Sequence, residues 1–137
     1  MAYDVLVEMD IDTSRQKVFA MLMDFGGIKD ILPDMIDTCE VEGEGIGAIR
    51  KIGLAEGAKV VERLDVSFDE RVFAYSITEN NFLPLTNYSA VVTLSDTAAG
   101  GTKVQWGSNW IPNGASAGEI REMLSGLYTN IINGLAA

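Results

Sequence analysis

Histidine is absent from the 137 residues, and cysteine occurs once, as Cys39. The first absence removes the commonest general base and the commonest metal ligand. Ser-His-Asp and Cys-His catalytic arrangements are excluded with it. A single thiol allows no intrachain disulfide, so nothing points to an oxidising compartment. Basic residues are scarce, with 10 Lys and Arg against 20 Asp and Glu and a net charge of −10. That balance disfavours nucleic acid and anionic membrane as partners, because both are recognised by basic patches. No apolar run is long enough to span a bilayer, so no integral membrane association is expected. The opening MAYDVLVEMD carries acids rather than the basic-then-apolar pattern of a secretion signal. A cytoplasmic location and a single domain over residues 1–137 are the expectations. The acidic residues are dispersed, so no metal site and no cofactor is expected. Proline is rare as well, and Pro33, Pro84 and Pro112 fall between the periodic segments rather than inside them.

Among the segments present, the C-terminal stretch Ser116 to Leu135 is the most strongly patterned. Ile120, Met123, Leu124, Leu127, Ile131 and Leu135 recur at three- and four-residue spacing, which predicts an amphipathic helix. Ser116 with Glu119 three residues on forms a capping box. Gly126 is anomalous there, since glycine inside a helix costs about 1 kcal/mol relative to alanine. At the other end, Tyr3 to Ile11 alternates as a strand with one buried face. Asp12, Thr13 and Ser14 then offer helix caps before Val18, Phe19, Leu22 and Met23, and Ile28 to Leu32 reads as a second short helix stopped by Pro33. From Ile36 onward the pattern is strands broken by turns: Cys39 to Glu42, Ala48 to Leu54, Lys59 to Asp65, Val72 to Thr78, Tyr88 to Ser95 and Thr102 to Ile111, with a longer loop from Glu79 to Thr86. Short connections imply an antiparallel meander. The economical solution is α+β: a curved sheet gripping the final helix.

GEGIGAIRKI, VVERLDVSFDERVFAYSI and PLTNYSAVVTL resemble the abscisic-acid-receptor branch of the START-like, or birch-pollen-allergen, superfamily. Bacterial members are often described as polyketide cyclase/dehydrase or lipid-transport proteins. The resemblance extends over the whole chain. It implies the helix-grip fold: a seven-stranded antiparallel sheet around a long C-terminal helix, with two short helices after the first strand and a cavity between sheet and helix. It also implies that Arg50, Glu62 and Tyr88 face the cavity, that Gln105 stands where the receptors carry an inward glutamate, and that Met123, Leu127 and Ile131 face the ligand. Tyr75 and Ile77 match apolar wall positions. The receptors' ligand-pairing lysine is missing near Leu32-Pro33, their latch histidine-arginine is replaced by Leu83-Pro84, and their gate turn is shortened to GLAEG at Gly53 to Gly57. A hormone receptor is therefore not expected.

Alternation puts Arg50 with Ile52 and Leu54 on one strand face, and Glu62 with Val60 and Leu64 on one face of the next. If both faces point inward, an arginine and a carboxylate meet in a low-dielectric site and orient a polar ligand end, or simply form an ion pair that shapes the wall. Tyr88 and Tyr75 are hydrogen-bond donors for a ligand carbonyl, or packed strand tyrosines. Gly43-Glu44-Gly45-Ile46-Gly47 lacks the Gly-Lys-Ser/Thr ending of a phosphate loop and precedes a strand, so it reads as a tight turn. Met9, Met21, Met23, Met35 and Met123 are candidates for an adaptable cavity lining or ordinary core. Trp106 and Trp110 share a parity opposite to Gln105 and Asn109. If Gln105 faces in, both tryptophans face out and offer a homodimer or partner surface, unless a bulge turns one inward.

The function these readings favour is binding of a hydrophobic small molecule, such as a lipid, isoprenoid or polyketide-like compound. The residues assigned to it are Arg50, Ile52, Leu54, Glu62, Tyr75, Ile77, Tyr88, Gln105, Met123, Leu127 and Ile131. One alternative is a cyclase/dehydrase-type enzyme using Tyr88 and Glu62 for proton transfer. Another is an interaction domain with a collapsed cavity and an exposed tryptophan face.

Overall fold

The alternation at the N-terminus forms β1 (Val5–Ile11), with Val5 and Ile11 buried and Leu6, Glu8 and Asp10 turned outward. The structure is a computed structural model, and it describes residues 2–136. Ser14 ends the extended segment and caps α1 (Arg15–Met23), its hydroxyl accepting from the Lys17 N–H at 3.3 Å. A 3₁₀ turn at Phe25–Gly27 leads into the one-turn α2 (Ile28–Ile31), and Pro33 lies just beyond.

The strands then follow in sequence: β2 (Thr38–Glu42), β3 (Ile49–Gly53), β4 (Lys59–Phe68), β5 (Val72–Asn80), β6 (Leu85–Asp96) and β7 (Thr102–Pro112). All pair antiparallel in one seven-stranded sheet ordered β1-β7-β6-β5-β4-β3-β2. Consecutive strands are neighbours except at β1, which closes onto β7 with Val5 opposite Ser108 and Ile11 opposite Thr102. The chain from β1 to β2 therefore carries α1 and α2 from one edge of the sheet to the other.

α3 (Ala117–Ala136) fills the grip. Its capping box is formed: the Ser116 N–H donates to Glu119 Oε1 and the Glu119 N–H to Ser116 Oγ, both at 3.1 Å. Hydrogen bonding from Ser116, its backbone N–H foremost, holds the Glu119 carboxyl below its ordinary value. Ile120, Leu124, Tyr128, Ile131, Ile132 and Leu135 form the buried stripe. Each such aliphatic side chain contributes about 1.5–3 kcal/mol on leaving water, which is what seats the helix. Its far end is tied down by polar contacts as well: Thr13 Oγ1 donates to the Leu135 carbonyl at 3.2 Å, and Thr102 Oγ1 to the Thr13 carbonyl at 2.7 Å.

Two expectations change. The loop expected over Glu79 to Thr86 is shorter, because β5 continues to Asn80 and β6 begins at Leu85. Asn80 makes this possible by serving the loop's backbone. Its Oδ1 accepts from the Phe82 and Leu83 N–H groups at 2.8 and 2.7 Å, and its Nδ2 donates to the Leu83 carbonyl at 2.9 Å. In β7 the parity is as read but the faces are reversed. Trp106 and Trp110 are 1% and 7% exposed and point into the core, with Ser108 between them. Gln105 points away from it, on the outer face beside β1, where its Nε2 donates to Glu8 Oε2 at 2.7 Å. Two indoles bury far more apolar surface than a glutamine and an asparagine, so hydrophobicity decides the face. The outward tryptophan surface expected for a homodimer or partner is not present.

Candidate functional site

Adjacent strands bring the polar pair together. Arg50 on β3 lies directly opposite Glu62 on β4, so two side chains of the same face meet without any loop having to place them. Arg50 Nε donates to Glu62 Oε1 at 2.7 Å, and both side chains are almost fully buried, at 6% and 10% exposure. Arg50 Nη1 donates to the Phe25 carbonyl at 3.2 Å, and the guanidinium carbon stands 4.0 Å from the Phe25 ring centroid and 5.5 Å from that of Tyr75. The buried cation is thus held by a carboxylate, a carbonyl and two aromatic faces.

Beside this pair runs a chain of hydroxyls. Trp106 Nε1 donates to the Tyr75 hydroxyl at 3.2 Å; the Tyr75 and Tyr88 oxygens lie 3.0 Å apart; Tyr88 bonds to Tyr128 of α3; and Tyr128 donates to Ser108 Oγ at 2.7 Å. All five side chains are buried. Burial pushes the Tyr75 and Tyr88 phenols well above their ordinary value and raises Tyr128 as well. The aromatic rings themselves are in contact along the same line, Tyr75 edge-on to Trp106 and Trp106 stacked on Tyr128 at 5.6 Å between centroids.

A cavity lies between this wall and α3. It has a volume of about 60 Å³ and opens to solvent at its mouth. Arg50, Glu62, Tyr75 and Tyr88 line it, and so do Ile52, Leu54 and Ile77 from the sheet and Leu127 and Ile131 from α3. Gln105 and Met123 do not. Gln105 is on the outer face, and Met123 is 38% exposed on the flank of α3, where the helix presents Leu124 to the cavity instead. The sequence reading also missed Tyr128 and Ser108, which hold the hydroxyl chain from behind. Tyr128 lies four residues after Leu124 and four before Ile132, so its place on the buried stripe was readable from spacing. Of the methionines proposed as lining, Met35 reaches the cavity. Phe82 also lines it while remaining 47% exposed, which puts the Asn80-braced loop at the rim. Cys39 is half-buried, and burial pushes its thiol up, so it is not an activated nucleophile.

A curved antiparallel sheet closed on a long helix, with a largely apolar cavity between them, defines a helix-grip protein. The chain belongs to the family described as polyketide cyclase / dehydrase and lipid transport, whose model matches residues 3–137. Among solved structures it is similar to the protein XoxI from Bacillus cereus, at 27% identity over 99% of this chain and 94% of that one, with a TM-score of 0.82. It shares its fold with norcoclaurine synthase from Thalictrum flavum, solved with dopamine and hydroxybenzaldehyde, at 16% identity, 96% and 83% coverage and a TM-score of 0.77. The same holds for Ara h 8.0201, at 20% identity, 96% and 93% coverage and a TM-score of 0.79. No match is found among curated proteins. Among the described residues, no helix is long and apolar enough to cross a membrane.

Proposed function

We propose that the protein binds a hydrophobic small molecule, of the lipid, isoprenoid or polyketide-like kind, in the cavity between sheet and α3. The observation that carries this is the composition of the lining: aliphatic side chains from both layers surround one confined polar cluster, Arg50, Glu62, Tyr75 and Tyr88. An apolar enclosure with a few convergent polar groups is the usual form of a small-molecule site. In this reading Arg50, Glu62 and Tyr88 orient the ligand's polar end, and Ile52, Leu54, Ile77, Leu127 and Ile131 hold its body. Native mass spectrometry of the purified protein, followed by organic extraction, tests it. A co-purifying apolar compound that is lost on Leu127→Arg supports the reading. Failure of the protein to take up any of a panel of apolar compounds offered in solution, with the fold intact, would sink it.

A second reading has Glu62 and Tyr88 moving protons on the bound molecule, as a cyclase/dehydrase would require. Its support is that both residues line the same cavity and that the family description includes such enzymes. Tyr88→Phe should then lower turnover of a bound polyketide-like compound by about 10²-fold or more while its affinity stays near that of the parent. Equal turnover in the parent and the variant removes Tyr88 from that role.

A further inference from the structure

The hydroxyl chain has a direction, and the direction constrains what the cavity recognises. A phenol has one hydrogen to give. Tyr128 gives its hydrogen to Ser108 Oγ. The Tyr88–Tyr128 bond therefore has Tyr88 as donor, and the Tyr75–Tyr88 bond has Tyr75 as donor. At the head of the chain stands an indole N–H, which can only donate. Every hydrogen from Trp106 to Tyr128 is thus spent inside the wall, running away from Tyr75 toward Ser108. Tyr75 and Tyr88, which line the cavity, therefore have no hydrogen left to give it, only oxygen lone pairs.

Glu62 adds to the same bias. Its Oε1 accepts from Arg50, and among the described residues no donor reaches Oε2. Arg50 offers the countervailing donors, since Nε is engaged and Nη1 gives one hydrogen to the Phe25 carbonyl, but Nη2 has no partner among the described residues. A ligand carboxylate facing this wall would meet the Glu62 charge and two oxygens without hydrogens. An ether or ester oxygen would accept from Arg50 and leave Glu62 and the tyrosines unanswered. A hydroxyl does both, donating to Glu62 or a tyrosine oxygen and accepting from Arg50.

We infer that the cavity selects ligands whose polar end is a neutral hydroxyl, an alcohol or phenol, on an apolar body. This rests on the cavity being the ligand site. The test uses one apolar body with four ends: naphthalene, 2-naphthol, 2-methoxynaphthalene and 2-naphthoate, titrated into the intact protein by calorimetry at neutral pH. 2-Naphthol is expected to bind at least about ten-fold more tightly than 2-methoxynaphthalene, the usual worth of a hydrogen bond to a charged group, with 2-naphthoate the weakest of the three. The ether or the carboxylate binding as tightly as the naphthol overturns the inference and leaves the cavity reading standing. No binding of any of the four, naphthalene included, defeats the cavity reading and this inference with it. Tyr128→Phe supplies an independent readout, because it frees the Tyr88 hydrogen for the cavity. The variant should bind 2-methoxynaphthalene several-fold more tightly than the parent does, so that the preference for 2-naphthol shrinks. An unchanged ratio in a variant whose near-ultraviolet circular dichroism is native overturns the assigned direction.

Discussion

Tyr88 of β6 and Tyr128 of α3 join the sheet to the helix through a hydrogen bond between their hydroxyls, across 40 residues of sequence. This places a polar seam in the middle of an otherwise apolar interface. Buried hydroxyls of this kind stabilise only while every partner is present.

Alkaline pH should unfold the protein through this seam. Burial raises the folded-state pKa of Tyr75, Tyr88 and Tyr128 above the value of about 10 that an unfolded tyrosine has. Their contribution to stability is whole below pH of about 10 and declines as the pH rises toward the folded values, because the unfolded chain then releases protons that the folded chain retains. Each tyrosine adds a slope of about 1.4 kcal/mol per pH unit in that window. Denaturant melts between pH 9 and 11 check this, and Tyr75→Phe should reduce the slope. A flat profile would contradict the burial of the hydroxyls.

Breaking the Arg50–Glu62 pair from one side should be far worse than removing both partners. Glu62→Leu leaves a guanidinium in a low-dielectric wall without its counter-charge, and Arg50→Met strands the carboxylate. Losses of about 3–5 kcal/mol are expected for either. The double variant Arg50→Met with Glu62→Leu should recover most of that. A double-mutant cycle from urea melts measures the coupling, and additive losses would mean that the ion pair is not intact in solution.

The two tryptophans of β7 should differ in what the indole nitrogen is worth. Trp106 Nε1 anchors the tyrosine chain, whereas Trp110 Nε1 is buried with no hydrogen-bond partner among the described residues. Replacement by phenylalanine removes a bond at one site and an unsatisfied donor at the other. Trp106→Phe should therefore cost about 1–2 kcal/mol more than Trp110→Phe. Equal losses in thermal melts would assign both effects to volume alone.

Two glycines of α3 should respond with opposite signs. Gly126 is exposed, and a Cβ built there meets nothing within 4 Å, so Gly126→Ala should stabilise by about 1 kcal/mol through helix propensity. A Cβ at Gly134 falls 2.6 Å from Ile31 Cγ2 and 3.3 Å from the Ile31 carbonyl oxygen. Gly134→Ala should therefore lower the melting temperature by pushing α2 off the helix. Gains at both positions would show that α2 moves freely.

Much of this was readable in the residues, for identifiable reasons. Period-two and period-3.6 patterns delimit β1 and α3, and Ser116 with Glu119 marks the start of the helix. Arg50 and Glu62 were legible as a pair because their strands are consecutive and each has a regular alternation. β7 was misread because the resemblance placed Gln105 inward, while the tryptophans' own hydrophobicity argued the reverse. Met123 was placed toward the cavity because the resemblance put it at a ligand-facing position, and Tyr128 was left off the helical stripe. The hydroxyl chain was not legible at all. It joins β5, β6, β7 and α3, and no local pattern encodes which hydroxyl gives its hydrogen to which.

The closure of β1 onto β7 also sets a timetable for synthesis. Ile11 pairs with Thr102 and Val5 with Ser108, so the strand made first waits for the strand made last. At about 5–20 residues per second, that wait lasts roughly five to twenty seconds on the ribosome. During it the growing meander has a free edge at β6 and an uncovered apolar concavity, since α3 emerges later still. Contacts of such long sequence separation also fold slowly once the chain is released. The nascent chain is therefore most exposed to aggregation just before its final helix arrives, and a chaperone that shields a sheet edge during that interval should raise its yield.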